Sequence, residues 1–287
     1  MARSSTRKVS KKASLTASKR QRGWRTAATS DRHDLYERSV QEPSAECDLI
    51  DQIWKEQRGR RAELIREDFC GTAAVCMEWV KRRPSHRSWG VDLDPQVLAW
   101  GTARMPERLT PAQRKRVTLL QQDVRTVRTP LVDTVLAMNF SYFIFKERAM
   151  LKKYFKHVHR SLKTDGLFLL DAYGGHDSFA EMKEEKDFDG FTYVWDQNKY
   201  NPITGDVVNY IHFKFPDRTR LNRAFTYEWR LWTLPEIQEI LLEAGFRKAL
   251  VYWEGTDEKT GEGDNNWAES RQGEACPGWV AYLVGVK

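Results

Sequence analysis

From residue 62 to residue 171 short apolar runs alternate with segments of helical periodicity, and few folds accept that rhythm. Residues 62–66, 89–93, 117–121, 132–138 and 167–170 read as strands. Residues 72–80, a segment opened by Pro95, and residues 146–162, closed by Thr164-Asp165-Gly166, read as helices. A strand that pairs in parallel with its predecessor needs a crossover long enough to hold a helix. Right-handed crossovers then place helices on both faces of one sheet. The unbroken run Leu167-Phe168-Leu169-Leu170 suits a central strand buried on both sides. Upstream, residues 47–56 set Leu49, Ile53 and Trp54 on one helical face.

The rhythm changes near residue 176. Residues 191–195, 206–215 and 222–232 read as three β segments joined by Asn201-Pro202-Ile203-Thr204-Gly205 and Phe215-Pro216-Asp217. They form an antiparallel insertion over residues 176–232. Residues 234–244 follow as a helix, capped by Thr233 and ended by Gly245. Residues 248–253 and 279–286 close the sheet as an antiparallel pair. The Gly-, Asp- and Asn-rich stretch 255–266 reads as a mobile loop.

The formal charge of +7 is concentrated at one end. Residues 1–30 hold nine Lys or Arg and no acid, so the remaining chain carries about −2. With Trp24 as its only aromatic, this tail buries too little apolar area to order itself. A passive solubilising tail, a weak polyanion-binding arm and a transit peptide all fit its composition. Residues 31–287 form one domain whose near-neutral body lacks the clustered cations of a phosphate groove. The four cysteines, Cys47, Cys70, Cys76 and Cys276, form no CxxC pair. They suit reduced thiols in a cytoplasmic protein, with neither disulfides nor a metal. No run approaches the roughly 20 apolar residues of a membrane span.

Four features lie in order along the α/β half. The first is Glu67-Asp68-Phe69-Cys70-Gly71-Thr72-Ala73, an acidic turn between strand and helix. Gly71 lets backbone approach a ligand there, and the helix start offers free N–H groups. Next, Trp89-Gly90-Val91-Asp92-Leu93-Asp94 sets a carboxylate at the following strand end, near the roughly 20-residue spacing of a ribose site. Leu119-Leu120-Gln121-Gln122-Asp123-Val124 and Asp133-Thr134-Val135-Leu136-Ala137-Met138-Asn139-Phe140-Ser141-Tyr142 supply two further polar strand ends.

Together these motifs resemble those of class I S-adenosylmethionine (SAM)-dependent methyltransferases of small-molecule type, over residues 60–175. The resemblance implies a Rossmann-like, seven-stranded, mostly parallel sheet with SAM as cofactor. It implies Glu67 for the methionine ammonium, with Phe69, Cys70 and Gly71 in the turn around it. Asp92 then takes the ribose hydroxyls, Leu93, Asp123 and Val124 the adenine, and Asn139 and Ser141 the methyl end. Tyr36 is the candidate cover. Phe69 and Ala73 replace the outer glycines of the family's first motif. Bulk there obstructs a pyrophosphate and disfavours a nicotinamide enzyme.

The acceptor is expected under the insertion, with Tyr142, Tyr173, Tyr210 and His212 as substrate-binding candidates. Tyr210 and His212 are also the candidate general bases. A small-molecule acceptor fits the near-neutral body. RNA or protein methylation recruited through the tail, and non-catalytic SAM or nucleic-acid binding, are the alternatives.

Overall fold

The computed structural model describes residues 25–257, 259–260 and 263–287. Residues 1–24, on which most of the basic-tail reading falls, lie outside the described residues. Strands β1 (Leu64–Asp68), β2 (Arg87–Asp92), β3 (Val117–Gln121), β4 (Val132–Ala137) and β5 (Leu162–Gly174) pair in parallel, in the order β5-β4-β1-β2-β3. Strands β10 (Lys248–Thr256), β11 (Gly263–Glu269) and β12 (Trp279–Val286) extend the β5 edge antiparallel, in the order β11-β10-β12.

The sheet therefore has eight strands rather than seven. The extra one, β11, occupies part of the stretch expected to be a mobile loop: Gly263 and Trp267 to Glu269 pair with β10, and in the bulge between them the Asn265 N–H donates to the Glu254 carboxylate at 3.0 Å. A second correction concerns Thr164-Asp165-Gly166. β4 pairs Val132 with Leu162 and then Thr134 with Leu167, so these residues bulge within β5 instead of ending a helix.

Every residue of β4 is buried, as a central strand covered on both faces requires. Its two polar side chains are satisfied internally. Asp133 accepts from the Glu63 and Leu64 N–H groups at 3.0 and 2.8 Å, and Thr134 accepts from the Trp54 indole at 2.6 Å. One face packs helix α2 (Pro43–Arg58) through Leu49, Ile50, Ile53 and Trp54, beside helix α3 (Ala74–Arg82) through Val75 and Trp79. Across the sheet lie α6 (Arg148–Ser161) and α7 (Leu234–Glu243), with Leu151, Phe155, Ile237 and Ile240 inward. A capping box between Thr233 and Glu236 starts α7. Between β2 and β3 run α4 (Pro95–Arg108) and the single turn α5 (Pro111–Arg114).

A separate meander holds four strands rather than three: β6 (Met182–Phe188), β7 (Phe191–Tyr200), β8 (Asp206–Lys214) and β9 (Arg220–Arg230). Burial along β8 alternates strictly, with Val207, Asn209, Ile211 and Phe213 inward. The helix α1 (Arg32–Val40), begun by the Asp31 cap, packs Leu35 against Ile211 and Phe213. Among the described residues, no helix is long and apolar enough to cross a membrane.

Candidate active site

The C-terminal ends of β1, β2, β4 and β5 converge on one side of the sheet, which is where open parallel sheets place ligands. After β1 the chain makes a turn with Phe69, Gly71 and Ala73 at φ of +58°, +52° and +61°. All three motif positions are left-handed, although only one is glycine. The two substitutions keep the backbone of a three-glycine turn and carry its strain. A Cβ at Gly71 meets nothing within 4 Å, so open space faces that backbone. Gly101 of α4 lets the helix reach the same turn, since a Cβ there falls 2.4 Å from the Thr72 carbonyl oxygen.

Asp92 ties the first two strand ends together. One oxygen accepts from the Gly71 N–H at 2.8 Å and the other from the Asp94 N–H at 2.9 Å. Each oxygen keeps a second lone pair for a ligand hydroxyl. Asp94 caps α4 through the Gln96 N–H at 2.8 Å.

At the end of β4, Asn139 and Phe140 are both left-handed, at φ of +57° and +58°. Their N–H groups donate to the two Asp171 oxygens at 2.8 Å each. Burial pushes the Asp171 carboxyl up to about 7, against the pull of those bonds. Ser141 turns its hydroxyl to the Met138 carbonyl at 2.8 Å.

Three cavities adjoin these strand ends. One of about 520 Å³ holds Tyr36, Phe69, Gly71, Asp92, Asn139 and Ser141 together in its wall. It also uses Arg32, His33, Gln41, Thr72, Phe225, Tyr227 and Trp229. A shallower cleft of about 400 Å³ shares the Phe69 and Ile144 walls and adds Leu93, Asp123 and Val124. Leu93, in its wall, is 62% exposed, a large apolar side chain turned to solvent. Arg125 grips the Asp123 carboxylate through Nε at 2.9 Å and Nη2 at 2.5 Å, which holds that carboxyl below its usual range.

The third cavity, of about 510 Å³, lies between the two sheets. Tyr36, Asn139, Tyr227 and Trp229 belong to its wall and to that of the first, so the two chambers meet there. Its rings include Phe140, Tyr173, Tyr193, Trp195 and Trp279, and its charged groups are Asp177, Glu184 and Glu254. The Tyr173 hydroxyl accepts from Asn209 Nδ2 at 3.2 Å.

Several expected residues lie elsewhere. Tyr142 is fully buried and donates to the Asp171 carbonyl at 2.8 Å, so it lines none of these chambers. Tyr210 and His212 point to the opposite face of β8 from Ile211. There the Arg223 guanidinium lies 4.6 Å from the Tyr210 ring centre. His212 is held at both nitrogens, by Asp196 at 3.1 Å and by the Arg223 N–H at 3.0 Å. Neither is within the cavity walls as a base. Cys70 is buried behind the turn, and burial drives its thiol far up. Glu67 also sits behind it, accepting from the Cys76 N–H at 3.1 Å, with burial lifting its carboxyl to about 7.

The roof residues Arg32, His33, Phe225, Tyr227 and Trp229 were not assigned to a cofactor from the sequence. The aromatic alternation of 222–232 was the one available signal. Asp171 offered none, being one acid at a strand end.

Residues 68–166 match the family model of a methyltransferase domain. No curated protein sequence matches the chain. Solved structures align over most of it. A SAM-dependent methyltransferase from Clostridium acetobutylicum is 19% identical, with a TM-score of 0.63 over 89% of this chain and 96% of its own. SAM-bound CalS10 of Micromonospora echinaspora, an amino pentose methyltransferase, is 16% identical at TM-score 0.61, covering 88% and 95%. The sugar N-methyltransferase KedS8 from a Streptoalloteichus species is 17% identical at TM-score 0.59, covering 100% and 98%.

Proposed function

We propose that this chain, a SAM-dependent methyltransferase, methylates an amine nitrogen on a small molecule held between its two sheets. The lining of the acceptor chamber carries the reading. Its charged groups are Asp177, Glu184 and Glu254, and no Lys, Arg or His joins them among the described residues. Aromatic faces from Tyr36, Tyr193, Trp195, Tyr227 and Trp229 surround the same space. Rings and carboxylates without a counter-cation favour a cationic guest over an anionic one. The volume, about 510 Å³, suits a compact ligand rather than a polymer. CalS10 and KedS8, whose names place them on amino pentoses and sugar nitrogens, support the same class.

Residues 31–287 then act as one domain, with residues 176–232 as the acceptor lid. Asp92 takes the ribose hydroxyls, Gly71 admits the cofactor backbone, and Phe69, Leu93, Asp123 and Val124 frame the base. Tyr36 and Tyr227 stand where the chambers join. Asn139, held by Asp171, presents its polar end at that junction. SAM supplies an electrophilic methyl: the nitrogen lone pair forms the new N–C bond as the C–S pair returns to sulfur. The acceptor's ammonium sheds one proton before that step, with the chamber carboxylates as the nearest acceptors. Holding the two centres in line supplies most of the rate.

The test is a methylation screen with labelled SAM against amino sugars, simple amines and their hydroxyl analogues. The amines should be methylated, and Glu184→Gln should raise their KM more than it lowers kcat. Turnover confined to hydroxyl analogues would sink the amine assignment. Turnover of RNA, abolished by removing residues 1–30, would instead favour the tail-recruited reading.

A further inference from the structure

The pairing of β8 with β9 loses register at one point, beside the chamber that holds Gly71 and Asp92. Ile211 faces Phe225 and Phe213 faces Leu221, so Asn222, Arg223 and Ala224 stand opposite the single residue His212. Arg223 is left-handed there, at φ +50°, a conformation that a residue with a side chain keeps only where its surroundings hold it. The histidine supplies the hold. Its Nδ1 lies 3.0 Å from the Arg223 N–H, and its Nε2 lies 3.1 Å from Asp196 Oδ2. A backbone N–H can only donate, so Nδ1 accepts, and the proton of the neutral ring sits on Nε2, facing the carboxylate. Asp196 is 3% exposed and takes a second donor, Lys183 Nζ, at 3.0 Å. The pair is thus a fixed acceptor aimed at one backbone amide.

The bulge leads directly into the roof of the chamber. Arg223, Ala224, Phe225 and Thr226 belong to its wall, whereas His212 and Asp196 do not. The Phe225 ring packs 4.9 Å from that of Tyr36 and 5.9 Å from that of His33, so it joins β9 to α1. With regular pairing continued from Phe213 and Leu221, Ile211 would face Arg223 instead of Phe225. Phe225 would then sit two residues further along β8, about 7 Å away and off the Tyr36 ring. The bulge therefore decides where the roof closes.

We propose that His212, oriented by Asp196, is a positioning residue for the cofactor: it pins the β9 bulge through the Arg223 amide and so places Phe225 over the chamber. This rests on the cofactor reading of that chamber but not on the amine acceptor. It gives His212 a part in the reaction without contact with either reactant.

The experiment follows S-adenosylhomocysteine on the full chain, its affinity by calorimetry and its release by stopped flow. His212→Leu removes the acceptor and should weaken binding about two- to tenfold, the range for one neutral hydrogen bond, mostly through faster release. His212→Asn sets an amide oxygen near the place of Nδ1 and should recover most of that loss, which a general loss of packing would not allow. Without ligand, amide hydrogen exchange in residues 220–227 should quicken in His212→Leu and stay unchanged in β4. The asparagine variant also covers the case of a poorly folding leucine variant, since rescue is then read against the unaltered chain. Native affinity and release in His212→Leu, or an asparagine variant no better than the leucine one, overturns the proposal. So does faster exchange spread evenly over β6 to β9, which makes His212 a prop of the whole meander. Asp92→Ala tests the cofactor reading separately: if it leaves S-adenosylhomocysteine affinity unchanged, the chamber does not hold the cofactor and both statements fall.

Discussion

Two adjacent alanines differ in what a glycine there should do. Ala73 is fully buried and left-handed, at φ +61°, whereas Ala74 is nearly buried and begins α3. Replacing either by glycine removes one buried methyl, about 0.8 kcal/mol. Each replacement also adds about 0.5–1 kcal/mol of backbone entropy to the unfolded chain. Ala74→Gly should therefore lose about 1.5 kcal/mol. At Ala73 the same loss is offset by release of left-handed strain, about 1–2 kcal/mol. Ala73→Gly should be nearly neutral, so the two variants should differ by about 1–2 kcal/mol in urea unfolding. For a chain of this size that is about 2–8 °C in Tm. Equal losses at both positions would mean that the turn relaxes out of its left-handed form, and would refute the claim that Phe69 and Ala73 preserve a three-glycine backbone.

Gly71→Ala should cost at least tenfold in S-adenosylhomocysteine affinity by calorimetry, because its Cβ enters open space facing the ligand. Gly59→Ala, at φ +64° with nothing nearby, imposes similar strain and should leave affinity unchanged. Burial lifts Glu46 to about 8 and Glu67 and Asp171 to about 7. Their folded values exceed the unfolded ones, so the native state holds extra protons and loses stability as pH rises through that range. The Tm of the ligand-free chain should fall between pH 7 and 8.5, less steeply in Glu46→Gln. A flat or rising profile in both would contradict this.

The parallel half was legible because its strands are apolar and its turns carry distinct chemistry. Gly71, Asp92 and Asn139 could be placed in order and do share one cavity wall. Polar edge strands were harder to read. β6, with the sequence MKEEKDF, and β11, GDNNWAE, pair on one side and face solvent, so neither shows an apolar period. Period-two alternation in β8 separated two faces without saying which one met a cavity. Tyr210 and His212 lie on the face turned away from the cavity and Ile211 on the face that lines it, a distinction that only packing makes. Glu46 and Asp171 read as ordinary acids, since burial without a cation is a tertiary property.

The cover of the chamber that holds Gly71 and Asp92 is assembled from chain segments nearly two hundred residues apart. α1 supplies Tyr36 and β9 supplies Phe225, their rings 4.9 Å apart, and the Ala27 N–H reaches Thr219 Oγ1 at 2.9 Å. Contacts of such sequence separation are the last to be rewarded as a chain folds, and a surface helix held by one face is among the first units to detach. The eight-stranded sheet can thus remain intact while the cover lifts. Ligand exchange becomes a local opening reaction, with amide hydrogen exchange in α1 faster than in β4 and slowed when nucleoside is bound.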